Sequence, residues 1–184
     1  MMKKKVKVLI GIGVVLFVVM IVAFTPSAME RHVNRRTFAA SKADVWAVIS
    51  DVANYHQYAT GLTGVTILSG EGKGMIRSCS DELGSWKETC TAWNEGTSYS
   101  FNVHTGKDYP YPFKTFRGTW SINDLHLDQA ELVIEFEYQF PYRWMSWLFS
   151  GATHKAIDEG NNTLIKNWER AILQKASLIS QTDE

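Results

Sequence analysis

The apolar period of this chain changes once, at Pro141, and that change limits the folds open to it. Before it, short segments with strand character follow one another at residues 33–38, 65–68, 75–81, 86–93, 98–104, 116–122 and 131–138. In the last of these, Leu132, Ile134, Phe136 and Tyr138 alternate with Glu131, Val133, Glu135 and Glu137, the two-residue period of a half-buried strand. After Pro141, Trp144, Trp147 and Leu148 fall at i, i+3, i+4, and Ile157, Leu164, Ile165, Trp168, Ile172 and Ile179 continue a helical stripe. Between the first strand and the second, Ser41 and Asp44 resemble a capping box ahead of Val45, Trp46, Val48 and Ile49, so a compact helix starts there. Residues 54–58 predict a second short helix. A long antiparallel sheet with one long helix after it must bury its apolar face against that helix. The expected class is therefore α+β. Gly151 and the run from Gly160 to Asn162 are weak helix formers and predict a break or kink.

The N-terminus makes a second statement. Residues 8–24 form an uninterrupted run of 17 side chains with no charge, about 25 Å of helix at the usual rise. With Val6 and a snorkelling Lys7 it approaches a ~30 Å hydrocarbon core. The run is long for a signal-peptide core, and a cut after Ala28 would put Pro26 at −3, so an uncleaved signal anchor is favoured over a cleaved leader. Four lysines (3, 4, 5 and 7) precede the run, while Arg31, Arg35 and Arg36 follow it with Glu30, which places the N-terminus inside and the domain outside the cytoplasm. The expected organisation is a transmembrane signal anchor at 1–25, a linker at 26–32 and a folded domain at 33–180, a single-pass membrane protein held through residues 6–24.

Charge agrees with that division. The whole chain balances 19 basic against 19 acidic residues; removing the four lysines of residues 1–25 leaves 15 against 19, a charge of −4. A dedicated nucleic-acid binder would carry a basic excess, so no nucleic-acid partner is expected. His32, His56, His104, His126 and His154 show no metal-ligand spacing, and neither a G-x-S-x-G nucleophile motif nor a phosphate-binding glycine loop occurs. No metal, cofactor or catalytic residue is therefore expected. His154 and Asp158, four apart on the last helix, read as a surface pair.

The segments carry a resemblance. ASKADVWAVISDVANY at 40–55, GKGMIRSC at 72–79, ETCTAW at 88–93 and FRGTW at 116–120 resemble the START-like (SRPBCC) helix-grip superfamily, which includes polyketide cyclase/dehydrase-like members. The resemblance covers roughly residues 33–175. It implies a curved antiparallel sheet wrapped around the long C-terminal helix, gripping a hydrophobic ligand between them. On that reading Phe101, Trp120, Phe136 and Trp147 are cavity walls, and Arg77 and Glu88 are its polar groups. Residues 109–113, Tyr-Pro-Tyr-Pro-Phe, would form a lid, a membrane-facing lip or a rigid turn at the mouth.

The hairpin at 75–93 fixes where those polar groups meet. Gly84 and Ser85 suit a two-residue loop. That register puts Cys79 opposite Cys90, within disulfide range, and an exported domain permits the bridge, whereas a reducing compartment leaves two buried thiols. It also leaves Arg77 and Glu88 on a long diagonal, roughly 10–13 Å apart from the strand rise, and brings Asp81 opposite Glu88. Each of Arg77 and Glu88 would then meet a ligand carboxylate or hydroxyl, or Arg77 would pair with another acid or reach solvent. Three functions stay open: a membrane-anchored module binding a lipid or other hydrophobic small molecule, a cyclase- or dehydratase-like enzyme on a polyketide-like substrate, and an interaction module with a filled core.

Overall fold

The computed structural model describes residues 2–126 and 128–182, with side chains at 11–125 and 128–175. The elements run α1 (Met2–Ala23), β1 (Glu30–Phe38), α2 (Lys42–Ile49), α3 (Tyr55–Tyr58), β2 (Gly64–Ser69), β3 (Ile76–Ser80), β4 (Ser85–Asn94), β5 (Ser98–Val103), β6 (Thr115–His126), β7 (Gln129–Gln139) and α4 (Arg143–Thr182). The seven strands form one antiparallel sheet in the order β1-β7-β6-β5-β4-β3-β2. The chain therefore starts at one edge, crosses to the other through α2 and α3, and returns strand by strand until β7 lies beside β1. With α4 after it, the sheet has the helix-grip arrangement that the family resemblance implies, and the period change at Pro141 marks where sheet gives way to helix.

Local chemistry sets the pieces. Ser41 caps α2 by accepting the Asp44 amide at 3.2 Å, and α2 buries Val45, Trp46, Val48 and Ile49. These pack with Leu164, Ile165, Trp168 and Ile172 of α4 and with the inward side chains of the central strands, Tyr99 and Ile134 among them, in one core. The Tyr99 hydroxyl is satisfied by donating to the Ile49 carbonyl at 2.9 Å.

Several expectations need correction. The β3–β4 hairpin turns through residues 81–84, with Ser80 facing Ser85. The Asp81 carboxylate accepts the amides of Leu83 and Gly84 at 2.8 and 3.0 Å, and the Asp81 amide donates to the Gly84 carbonyl at 2.9 Å. An aspartate that folds the turn onto itself wins over the two-residue Gly84 and Ser85 loop. The register slips by an even step, so each side chain keeps its face but changes partner. Cys79 faces Trp86, and Arg77 faces Glu88. Asp81 sits in the turn and does not oppose Glu88. Cys79 and Cys90 are both free and buried, not bridged.

The expected break in the last helix is absent: α4 is continuous for 40 residues through Gly151 and Gly160. A helical glycine costs only about 1 kcal/mol relative to alanine, too little to interrupt a helix held by packing on its far half. β1 begins at Glu30, inside the stretch expected as linker, and that stretch is itself fastened. Ser27 donates its amide to the Phe140 carbonyl (3.2 Å), its hydroxyl accepts the Phe140 amide (2.9 Å), and its carbonyl accepts from Gln139 Nε2 (2.7 Å).

The run expected to span a membrane, residues 6–24, is helical to Ala23. The side chains of residues 6–10 lie outside the described ones, as does Ile179 of the α4 stripe. Among the described residues no helix is long and apolar enough to cross a membrane. From Ile12 to Phe24 the large apolar side chains of this segment are exposed.

Candidate functional site: a cavity between sheet and helix

The first half of α4 does not close onto the sheet. A cavity of about 590 Å³ lies between them. Its helix wall is made of small side chains at helical spacing, Ala152, Ala156 and Gly160, with Thr153 and Ile157 beside them. The sheet wall carries Phe101, Trp120 and Phe136, and Tyr109, Tyr111 and Phe113 of the β5–β6 loop complete the rim.

Arg77 and Glu88, directly opposite on β3 and β4, form the polar part of the wall. Arg77 Nε donates to Glu88 Oε2 at 2.8 Å, and Nη2 stands 2.7 Å from the same oxygen. Arg77 Nη1 donates to the Val52 carbonyl at 3.4 Å. The guanidinium lies 3.9 Å from the centre of the Phe101 ring and 5.2 Å from that of Tyr55. Glu88 Oε1 accepts Trp86 Nε1 at 2.8 Å, so both carboxylate oxygens are occupied. Arg77 is 2% exposed. Burial works against its charge, but the adjacent Glu88 carboxylate outweighs burial and the guanidinium holds its proton more tightly than a free arginine. The expected long diagonal is thus replaced by contact. The two groups satisfy each other, and the pair presents no net charge to the cavity.

The neighbouring groups are held neutral. Burial first, and then Glu88, push the Cys79 thiol up to about 12, so it is no nucleophile near neutral pH. Burial likewise raises the Tyr55 phenol well above its ordinary range. Among the described residues no cluster of His, Cys, Asp and Glu has the geometry to hold a metal ion.

The rim is anchored. Tyr109 and Tyr111 meet the Trp86 ring edge-on, at 6.0 and 5.9 Å, and the Tyr111 hydroxyl donates to the Asp81 carboxylate. The loop is therefore tied to the β3–β4 turn at the edge of the cavity. On the far side, β1 and the first half of α4 are joined by polar groups between residues 146 and 161. Glu30 accepts the hydroxyls of Ser146 (2.6 Å), Ser150 and Tyr138 (3.2 Å). Asp158 Oδ1 meets His32 Nε2 at 2.8 Å and accepts Asn34 Nδ2 at 2.7 Å. Asn161 donates to Asn34 at 2.5 Å. The His154 ring, one turn from Asp158, tilts against the His32 ring with centres 4.9 Å apart, and its Nε2 lies 3.6 Å from Glu30 Oε2.

Five of the six side chains singled out from sequence, Arg77, Glu88, Phe101, Trp120 and Phe136, line this one cavity. Trp147 does not. It is 62% exposed, because position 147 lies about half a turn round α4 from the cavity-lining positions 149, 152, 153 and 156. Gly118 was also missed. A Cβ there would lie 2.5 Å from the Trp120 ring and 3.0 Å from that of Phe136, so only glycine lets Trp120 fold back over β6. A glycine in the middle of the 116–122 strand was the available signal.

This chain is similar to several known proteins. The ribosome association toxin RatA of Vibrio cholerae is 22% identical over 148 residues, 78% of this chain and 96% of that one. A START superfamily protein from Mycobacterium smegmatis superposes with a TM-score of 0.63 at 18% identity, over 78% of this chain and 97% of its own. A Streptomyces aromatase/cyclase gives 0.59 at 16% identity, over 78% and 96%. At these identities the two structural likenesses establish the fold alone. Residues 29–169 match the family described as polyketide cyclase / dehydrase and lipid transport, and this chain belongs to that family.

Proposed function

We propose that this chain binds a hydrophobic small molecule or lipid between the sheet and α4, while α1 tethers it to a membrane with the domain on the extracytoplasmic side. One observation carries the binding reading: a cavity of about 590 Å³, walled mainly by aromatic and small apolar side chains, whose charged pair is already self-satisfied. That volume falls in the range of small-molecule sites. Because Glu88 neutralises Arg77, the fitting ligand is a neutral apolar molecule and not one held through its own carboxylate. The charge-free run at 8–24, the lysines before it and the exposed apolar side chains of α1 support the tether.

Native mass spectrometry of the full chain released from detergent tests the binding reading, together with titration by a neutral apolar dye and by a fluorescent fatty acid. A co-purified apolar molecule, or saturable binding of the neutral dye with the fatty acid no tighter, supports it. A protein that carries nothing and binds neither probe overturns it. For the tether, protease added to spheroplasts should digest the domain, and a protected domain overturns the outward orientation.

A further inference from the structure

Large apolar side chains left in water mark a contact surface when they are contiguous. At the start of α4, Trp147 and Leu148 are 62% and 67% exposed, and Phe149, Tyr142 and Phe24 are exposed beside them. Phe24, Tyr142 and Phe149 are joined ring to ring through the half-buried Trp144. Phe24 meets Tyr142 edge-on at 5.6 Å, Tyr142 stacks on Trp144 at 6.5 Å, and Trp144 meets Phe149 at 6.4 Å. Phe149 also lines the cavity. An unbroken aromatic path therefore leads from the end of α1 to the cavity wall.

The path is held as one piece. The Arg143 amide donates to the Thr25 carbonyl at 2.7 Å, and Ser27 is fastened to Phe140, which itself lines the cavity. Wherever α1 enters a bilayer, these bonds bring the start of α4 to the same level. Tryptophan and tyrosine favour the headgroup region, where an apolar ring and a polar N–H or O–H are both solvated. The exposed Arg143 at the same turn has the charge that suits lipid phosphates.

We infer that Phe24, Tyr142, Trp144, Trp147, Leu148 and Phe149 form a bilayer-docking collar that holds the Phe149 side of the cavity against the lipid surface, so that ligand passes between membrane and cavity without crossing bulk water. The occupant of this surface is the bilayer, because the collar continues directly from α1. The inference rests on the tether proposed above.

The test uses the full chain in phosphatidylcholine vesicles containing phosphatidylglycerol. Trp147→Cys carries an environment-sensitive dye, Leu148→Cys repeats the measurement, and Leu173→Cys, exposed near the other end of α4, is the reference. Cys79 and Cys90 are each 1% exposed and stay unlabelled in the folded protein. The collar requires that the protein float with vesicles, and that dye at 147 and 148 be blue-shifted and quenched by lipids bearing a quencher high on the acyl chain, with dye at 173 unaffected. Flotation with dye at 147 and 148 as water-exposed as at 173 overturns the collar and leaves the tether standing. Failure to float overturns the tether, and the collar with it; neither result touches ligand binding, which is read separately by mass.

Discussion

Before and after Gly160, the two halves of α4 meet the rest of the domain in different ways. Beyond it, Leu164, Ile165, Trp168 and Ile172 are almost inaccessible, and the Trp168 ring packs 5.8 Å from Tyr55 and 6.4 Å from Tyr58. Before it, the helix turns alanines and a glycine toward a void and is held at its edge by hydrogen bonds to Glu30, His32 and Asn34 of β1. The packed half supplies stability through burial. The other half needs only to be held in position, and polar bonds worth about 0.5–1.5 kcal/mol each can do that without filling the space beneath. One helix thereby serves both as part of the core and as the roof of a binding site.

The largest expected effect lies in the packed half. Trp168→Ala should lower unfolding stability by ~3–5 kcal/mol, since the ring's packing is lost and its site cannot collapse. Ile157→Ala, which enlarges a space already empty, should cost about 1 kcal/mol or less. Urea unfolding of both variants checks this, and equal losses would break the distinction between the halves.

Within the cavity wall the ion pair comes next. Arg77→Met strands a buried Glu88 carboxylate, for a loss of ~3–5 kcal/mol, whereas replacing both residues, Arg77→Met with Glu88→Leu, should recover most of it. Chemical denaturation of the single and double variants decides. If the single variant is as stable as the parent, Glu88 has another partner and the wall is not a closed pair.

The polar edge gives a smaller, pH-dependent effect. Hydrogen bonds from Asn34 and then His32 hold the Asp158 carboxyl below its ordinary value of 3.8. A depressed folded pKa stabilises the fold above that ordinary value, and the contribution disappears as pH falls through the folded pKa. Asp158 is partly exposed, which screens the effect. Thermal melts from pH 7 to pH 3 should show Asp158→Asn slightly less stable than the parent at neutral pH, with the gap closing below pH 4. A gap independent of pH would show that the carboxylate charge contributes nothing to holding this half of α4.

Much of this architecture was legible because period is a local property. The switch at Pro141, the alternation in 131–138 and the capping pattern at Ser41 each follow from neighbouring residues. The faces of Arg77, Cys79 and Glu88 were legible for the same reason, since a strand alternates whatever its partner. Their pairing was not: register depends on the turn, and there the side-chain bonds of Asp81 mattered more than the glycine. The helix wall was hidden for a different reason. A search for large apolar residues finds what fills a core, but a cavity is made by what is small, and Ala152, Ala156, Gly160 and Gly118 look unremarkable in sequence. The bonds from Glu30, His32 and Asn34 to α4 join residues over a hundred positions apart and left no local trace.

The smallest expected effect offers the sharpest contrast, because it sets two tryptophans on one helix against each other. Trp168 is fully buried and Trp147 is mostly in water. Trp147 is not among the cavity-lining residues, and the change to serine removes little area that folding had buried. Trp147→Ser should therefore shift stability by no more than ~0.5 kcal/mol, as surface substitutions usually do. The same change should leave the affinity for a neutral apolar dye unaltered, because the ring is not a wall of the site. Urea unfolding and dye titration of the purified protein in detergent check both. A loss near that of Trp168→Ala, or a weakened dye affinity, would mean that α4 turns this stripe inward in solution, and that the small-residue face is not the roof of the cavity.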